Sequence, residues 1–431
     1  MADVRETKRC SAGVIEAGLV ALVSGALATY FLRRGIGISP DGWGYWQASV
    51  SLMNGNGMTD LLGEPVVDWP PGFPLYLAAW QALLGTSGAT LVAATVACVG
   101  AAGFLWTLLL FRVMAPERSH WTWLSLAWLV CVLPTAHGFL LSEMLFHALL
   151  PGVLLISHHT WACTDRRPLL LSAAGLGAAL GALLLVRNAS ISLVPALLFP
   201  LLLQARVCLR WRVFGIALAT SVAGCVALAS RAWFDQGASH VVGWGVGYLT
   251  AGEYGEHISV GLANHLSSGA LGAVLLTALA LTLAIGRGFP AESIARVRLW
   301  GGVTCVACLG LFVLFNMVQI GNPPRGRFTL FATLMVIPLA LTLLQQLRPR
   351  ILGVAIALLF LFAPITRVWW LIPRGSVPAE LAIDTRPVPQ AIGLDVSLVA
   401  ASTASPQRID GTWYVGPPSR ALWRGNHQAA K

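Results

Sequence analysis

The chain has 431 residues, of which 56% are hydrophobic and 11% charged, with a formal net charge of +10 and a mean hydropathy of +0.73. Soluble domains carry about 45–50% apolar and about 25% charged residues, so a soluble enzyme is excluded and an all-α polytopic membrane protein is expected. A hydrocarbon core needs about 20 apolar residues per helix and leaves no partner for open backbone.

About eleven spans are expected, near 12–32, 88–111, 121–138, 139–160, 169–187, 189–205, 213–232, 269–286, 299–320, 328–347 and 351–372. The long Leu, Ala and Val runs lack the alternation of a β-barrel. The first span reads as an uncleaved helix. Ala26-Leu27-Ala28 looks like a cleavage site, but the apolar stretch exceeds the roughly 7–15 residues of a signal core.

The loop 33–72 follows, with Asp41, Asp60, Glu64 and Asp68 in a chain that spends little on charge. Short amphipathic helices lying on the membrane are expected here. Trp43, Trp46, Trp69 and Trp80 suit headgroup depth. Asp41 can act as a general base toward a hydroxyl, with Gly42 and Gly44 allowing a substrate close approach. It equally fits helix capping in Ser39-Pro40-Asp41. Asp68 is a candidate for a divalent metal or for substrate, or a turn aspartate before Pro70-Pro71.

The third and fourth spans nearly touch, implying a hairpin near His137–Glu143. Glu143, in LLSEMLF, is a candidate substrate ligand, although the dipole of a helix start also favours a carboxylate there. Ser142 is a candidate cap. His137 and His147 read as packing neighbours. Arg187 ends the fifth span and either snorkels to the interface or binds substrate. A second large loop, 233–268, holds Glu253, Glu256, His240, His257 and His265. Cys305 and Cys308 lie within an apolar span and read as a packing pair. Arg325 and Arg327, in NPPRGRFTLF, suit a phosphate, which guanidinium grips with two parallel hydrogen bonds. The segment 373–431 is too small to bury much core alone. It is expected to pack on the outside loops or to stay partly disordered.

Basic residues set the orientation. With the N-terminus inside, fifteen Lys and Arg fall in inside segments and six in outside loops before the last span. The sequence thus predicts a multi-pass protein of a bacterial inner membrane. Its N-terminus is cytoplasmic; its C-terminus and site are periplasmic. The basic charge is a topology signal; nucleic acid would need one clustered basic face. No cysteine falls outside, so no periplasmic disulfide is expected. The candidate charges sit at outside helix ends, whereas a transporter more often places them near the midplane, between internal repeats.

Five stretches stand in order over roughly residues 12–345: PDGWGYWQASVSLMNGNG, DWPPGFPLYLAAW, SEMLF, LLLVRNAS and RGRFTLFATLMVIP. On these the chain resembles the glycosyltransferase C superfamily. It is most similar to the smaller bacterial branch that includes aminoarabinose transferases of lipid A and relatives of protein O-mannosyltransferases. The resemblance implies a membrane domain over 1–372 and a periplasmic tail over 373–431. It implies sugar transfer from a polyprenyl-phosphate donor to a lipid, glycan or protein hydroxyl, with inversion and with membrane lipids around the site. Asp41 would be the catalytic aspartate, and Arg327 with Arg187 would hold the departing phosphate. Asp68, with His257 as its candidate partner, would lie near a divalent metal. Relatives often have Asp followed by Glu or Ser where this chain has Asp41-Gly42. The competing expectations are a transporter or lipid-linked-sugar flippase without chemistry and, behind it, a membrane scaffold.

Overall fold

In a computed structural model of the chain, the structure describes residues 2–33, 35–37, 40–59, 69–114, 120–137, 140–163, 165–202, 207–236 and 291–313. It also describes short pieces at 334, 365–366, 368–369, 371–372, 382–383, 407–409 and 412–414. Asp60, Glu64, Asp68, Arg325, Arg327 and the second large loop with His257 lie outside them. So do the spans expected at 269–286, 328–347 and 351–372, but for the short pieces just named.

The described residues are mostly helical. The helices are α1 (Ala2–Phe31), α2 (Pro40–Met53), α3 (Gly72–Leu84), α4 (Gly88–Leu109), α5 (His120–Ala136) and α6 (Glu143–Ala162). They continue with α7 (Arg166–Val186), α8 (Leu193–Leu202), α9 (Val207–Gln236) and α10 (Ala291–Val313). A π-helical turn, Leu110–Met114, extends α4, and a 3-10 turn, Asn188–Ser192, precedes α8. Among the described residues, three stretches are long and apolar enough to cross a membrane: Gly13–Phe31, Gly88–Arg112 and Arg166–Val186.

The chain divides into two compact units. The first holds Met1–Gly18, Phe104–Leu129 and Leu149–Phe362; the second holds Leu19–Gly103, Val130–Ala148 and Ala363–Lys431. In the first unit, α7 buries Leu169, Ala173, Leu176, Leu180 and Leu183, the spacing of one helical face. Gly177 lies on that face. A Cβ there would overlap the Thr220 hydroxyl and the Ala217 carbonyl of α9, so the two backbones approach as closely as glycine permits. Thr160 and Ser172 share a 2.7 Å hydrogen bond between α6 and α7. Trp300 of α10 is fully buried, its ring 5.3 Å from that of Trp161.

In the second unit, Gly100 and Gly103 of α4 face Ala21 and Val20 of α1. The hydroxyl of Tyr76 in α3 donates to the Ala94 carbonyl of α4 at 2.7 Å. Within the first loop, α2 is largely enclosed by protein. Tyr45, Trp46, Gln47, Ala48 and Ser49 are all buried, so α2 presents no free polar face along most of its length. Part of its polar content is satisfied inside the protein, although the Gln47 amide nitrogen is buried with no hydrogen-bond partner among the described residues. Gln81 of α3 donates to Ser49 at 2.8 Å, and Ser49 to the Trp46 carbonyl at 2.7 Å. Helix α3 begins at the end of the expected loop and runs on to Leu84, an element the hydropathy pattern does not announce. Two short antiparallel ladders complete the unit. One joins β1 (Ile36–Gly37) to β2 (Ala382–Ile383); the other joins β3 (Gln407–Ile409) to β4 (Thr412–Tyr414).

Candidate functional site

The second unit docks the start of α2 onto the connection between α5 and α6. Pro40 opens α2, where its fixed φ suits the first helical position and its missing N–H costs nothing. Asp41 is therefore the second helical residue, not the cap before the helix. The partial positive charge of a helix start favours a carboxylate at that position.

Three contacts hold this turn to the connection. The Leu140 N–H donates to the Gly37 carbonyl at 2.8 Å. The Leu140 carbonyl oxygen lies where a Cβ of Gly42 would stand. One turn further on, the buried Tyr45 hydroxyl donates to Ser142 Oγ at 3.2 Å. Asp41 is thus bracketed in sequence by two residues, Gly37 and Gly42, that both lie against Leu140. Gly42 and Gly44, expected to admit a substrate, admit protein instead. A Cβ at Gly44 would enter the indole of Trp69.

Aromatic packing stiffens the same region. The Tyr45 ring meets Phe73 edge-on at 5.0 Å and Trp69 at 5.6 Å; such pairs add about 0.5–1.5 kcal/mol beyond area burial. Trp46 and Trp69, expected at the membrane interface, pack against the protein. Trp69 reaches α2 at Gly44, three residues beyond Asp41. Tyr45 escapes a sequence reading fixed on acids and arginines. Its only signal is the dense PDGWGYW pattern, which mixes aromatics with glycines too closely for a membrane belt.

Glu143 is the first residue of α6 and is 5% exposed. Ser142 precedes it and its carbonyl accepts from the Phe146 N–H at 3.0 Å. His147 lies one turn along the same helix face. His137 lies in the connection, beyond the last residue of α5, its ring 5.3 Å from that of His147. His137 Nε2 is buried and has no hydrogen-bond partner among the described residues. Burial pushes the His137 imidazole down to about 4, against the opposite pull of the Glu143 carboxylate. At neutral pH it is an uncharged ring.

Arg187 belongs to the other unit. It follows α7 in extended backbone, donates its N–H to the Leu183 carbonyl at 3.0 Å and accepts from the Ser190 N–H at 3.0 Å. It is 8% exposed, so protein encloses it and it does not reach outward as a snorkelling side chain does. Asp68, Arg325, Arg327 and His257 lie outside the described residues. Among the described residues no group of three His, Cys, Asp or Glu side chains could hold a metal. Cys305 and Cys308 share α10 and are both free thiols.

The arrangement pairs two acid-bearing helix starts. The first turn of α2, with Asp41, lies on the connection that leads into α6, with Glu143. No protein-family model matches the chain, and neither does any curated protein or solved structure.

Proposed function

We propose that the chain is a membrane glycosyltransferase that moves a sugar from a polyprenyl-phosphate donor to a hydroxyl acceptor, with inversion. The observation that carries this is the docking of α2 on Leu140. It ties the backbone on both sides of Asp41 to the segment that ends in Glu143. The backbone beside Asp41 meets Leu140, three residues before Glu143, and this supports reading the two acids as one site.

The chemistry is a direct displacement. Asp41 takes the proton of the acceptor hydroxyl. The hydroxyl oxygen bonds to the anomeric carbon, and the bond from that carbon to the phosphate oxygen breaks. The lipid phosphate leaves with the electron pair. It needs cationic stabilisation more than a proton, which is the role given to Arg187, Arg325 and Arg327. Glu143 and Asp68 serve as substrate ligands, Asp68 and His257 being also the candidates for a divalent ion. The site faces the periplasmic side of a bacterial inner membrane, with the N-terminus in the cytoplasm. The acceptor is a lipid, a glycan or a protein.

The test is turnover by the purified chain in detergent, with polyprenyl-phosphate sugars and no ion gradient. A flippase gives none. Asp41→Asn should lower kcat by about 10²–10⁴, the usual contribution of a positioned base, with expression and thermal stability unchanged. Full activity in that variant removes Asp41 from the chemistry.

A further inference from the structure

The end of the last expected span and the tail beyond it reach back to the first loop at two points. The Arg33 guanidinium lies over the Tyr30 ring, 4.2 Å from its centroid, and donates to the Tyr30 carbonyl at 2.7 Å and the Ile372 carbonyl at 2.8 Å. Ten residues later in the tail, β2 pairs antiparallel with β1, with Ile36 opposite Ile383 and Gly37 opposite Ala382. Gly37 is the residue whose carbonyl also accepts from Leu140. A two-residue strand has little stability of its own. Here it is held between two partners, and α2 begins three residues further on.

We propose that strand Ala382–Ile383 of the C-terminal tail holds the backbone that leads into Asp41, so that residue 41 keeps its place only while this strand is paired with β1. That residue 41 is catalytic rests on the transferase function proposed above; that the tail positions it does not. The tail acts through β1, so Ala382 and Ile383 are positioning residues with no contact to substrate required of them.

The experiment uses the full chain in native membranes. Ile36→Cys with Ile383→Cys, oxidised and digested, should give a linked peptide pair in mass spectrometry. Ala382→Pro puts a proline inside a two-residue ladder, where it is disfavoured. It should raise the rate at which a water-soluble maleimide labels Asp41→Cys, read on the peptide that contains residue 41. With Asp41 intact, Ala382→Pro should lower kcat about ten- to a hundredfold, the scale of a small misplacement, and leave the donor KM unchanged. Oxidising the cysteine pair in that background should restore kcat, and reduction should remove it again. Failure of the cysteines to link, or unchanged labelling after Ala382→Pro, overturns the proposal. A wild-type chain inactive on every polyprenyl-phosphate sugar overturns the transferase function instead, and the labelling then decides the role of the tail by itself.

Discussion

The carbonyl oxygen of Leu140 occupies the place where a Cβ of Gly42 would stand. Backbone meets backbone here, so nothing can rotate aside. Gly42→Ala should therefore push α2 off the α5–α6 connection, at a cost of about 1–3 kcal/mol, the range for overpacking a tight site. Thermal unfolding in detergent reads the loss. Gly44→Ala meets a side chain, the Trp69 indole, and Trp69→Leu should relieve part of its cost. Equal and additive losses in the Gly44 and Trp69 single and double variants would contradict the contact.

Tyr45 links α2 to Ser142 by one buried hydrogen bond and to Phe73 and Trp69 by its ring. The two functions separate by substitution. Tyr45→Phe keeps the ring and should cost about 0.5–1.5 kcal/mol, the net worth of one hydrogen bond. Tyr45→Ala also loses the ring and should cost about 3–5 kcal/mol. Because the hydroxyl fixes the turn that carries Asp41, Tyr45→Phe should also lower kcat more than it changes KM. A cycle with Ser142→Ala measures the coupling directly; a zero interaction energy excludes the bond as a link.

His137 gives the chain a pH dependence. Its ordinary value is 6.5 and burial lowers it to about 4 in the fold. Above 6.5 both folded and unfolded chains hold it neutral, and it has no effect. Between 6.5 and 4 the unfolded chain binds a proton that the folded chain refuses, so stability falls as pH falls. Below 4 the loss stops growing, at roughly 3 kcal/mol by the free-energy equivalent of a pKa shift. His137→Leu should flatten the melting temperature across that window. A slope between pH 6.5 and 4 identical to wild type would assign the effect to other groups.

Three of the expected spans were legible because lipid imposes length and hydropathy on a sequence directly. Gly13–Phe31, Gly88–Arg112 and Arg166–Val186 stand where apolar runs predict them. The first loop was legible only in part. Its aspartates and tryptophans drew attention, but alternation of polar and apolar residues cannot tell a helix on a membrane from one inside a protein. What decides it is the tertiary partner a polar group meets, and Ser49 meets Gln81, 32 residues away. The glycines misled for a similar reason. Gly42 and Gly44 do mark a close approach, but sequence says nothing of whether substrate or protein makes it. Arg187 was found at a helix end as expected. Its enclosure depends on packing within the first unit, which no local pattern encodes.

Gly177 offers a prediction independent of any catalytic role. Its missing side chain leaves room for the Ala217 carbonyl and the Thr220 hydroxyl of α9. Small residues at such crossings let backbones approach closely, where van der Waals contact and interhelical hydrogen bonds replace the hydrophobic drive. Gly177→Ala should already be costly, since the carbonyl is backbone and cannot yield. Gly177→Val should prevent α7 and α9 from packing and leave little folded chain after detergent extraction. Thr220→Ala removes the hydroxyl but keeps its own Cβ and the Ala217 carbonyl in place, so it should recover part of the loss in Gly177→Ala but little in Gly177→Val. The readout is the monodisperse fraction on size exclusion. Wild-type behaviour of Gly177→Val would mean that α7 and α9 are farther apart than the buried face of α7 requires.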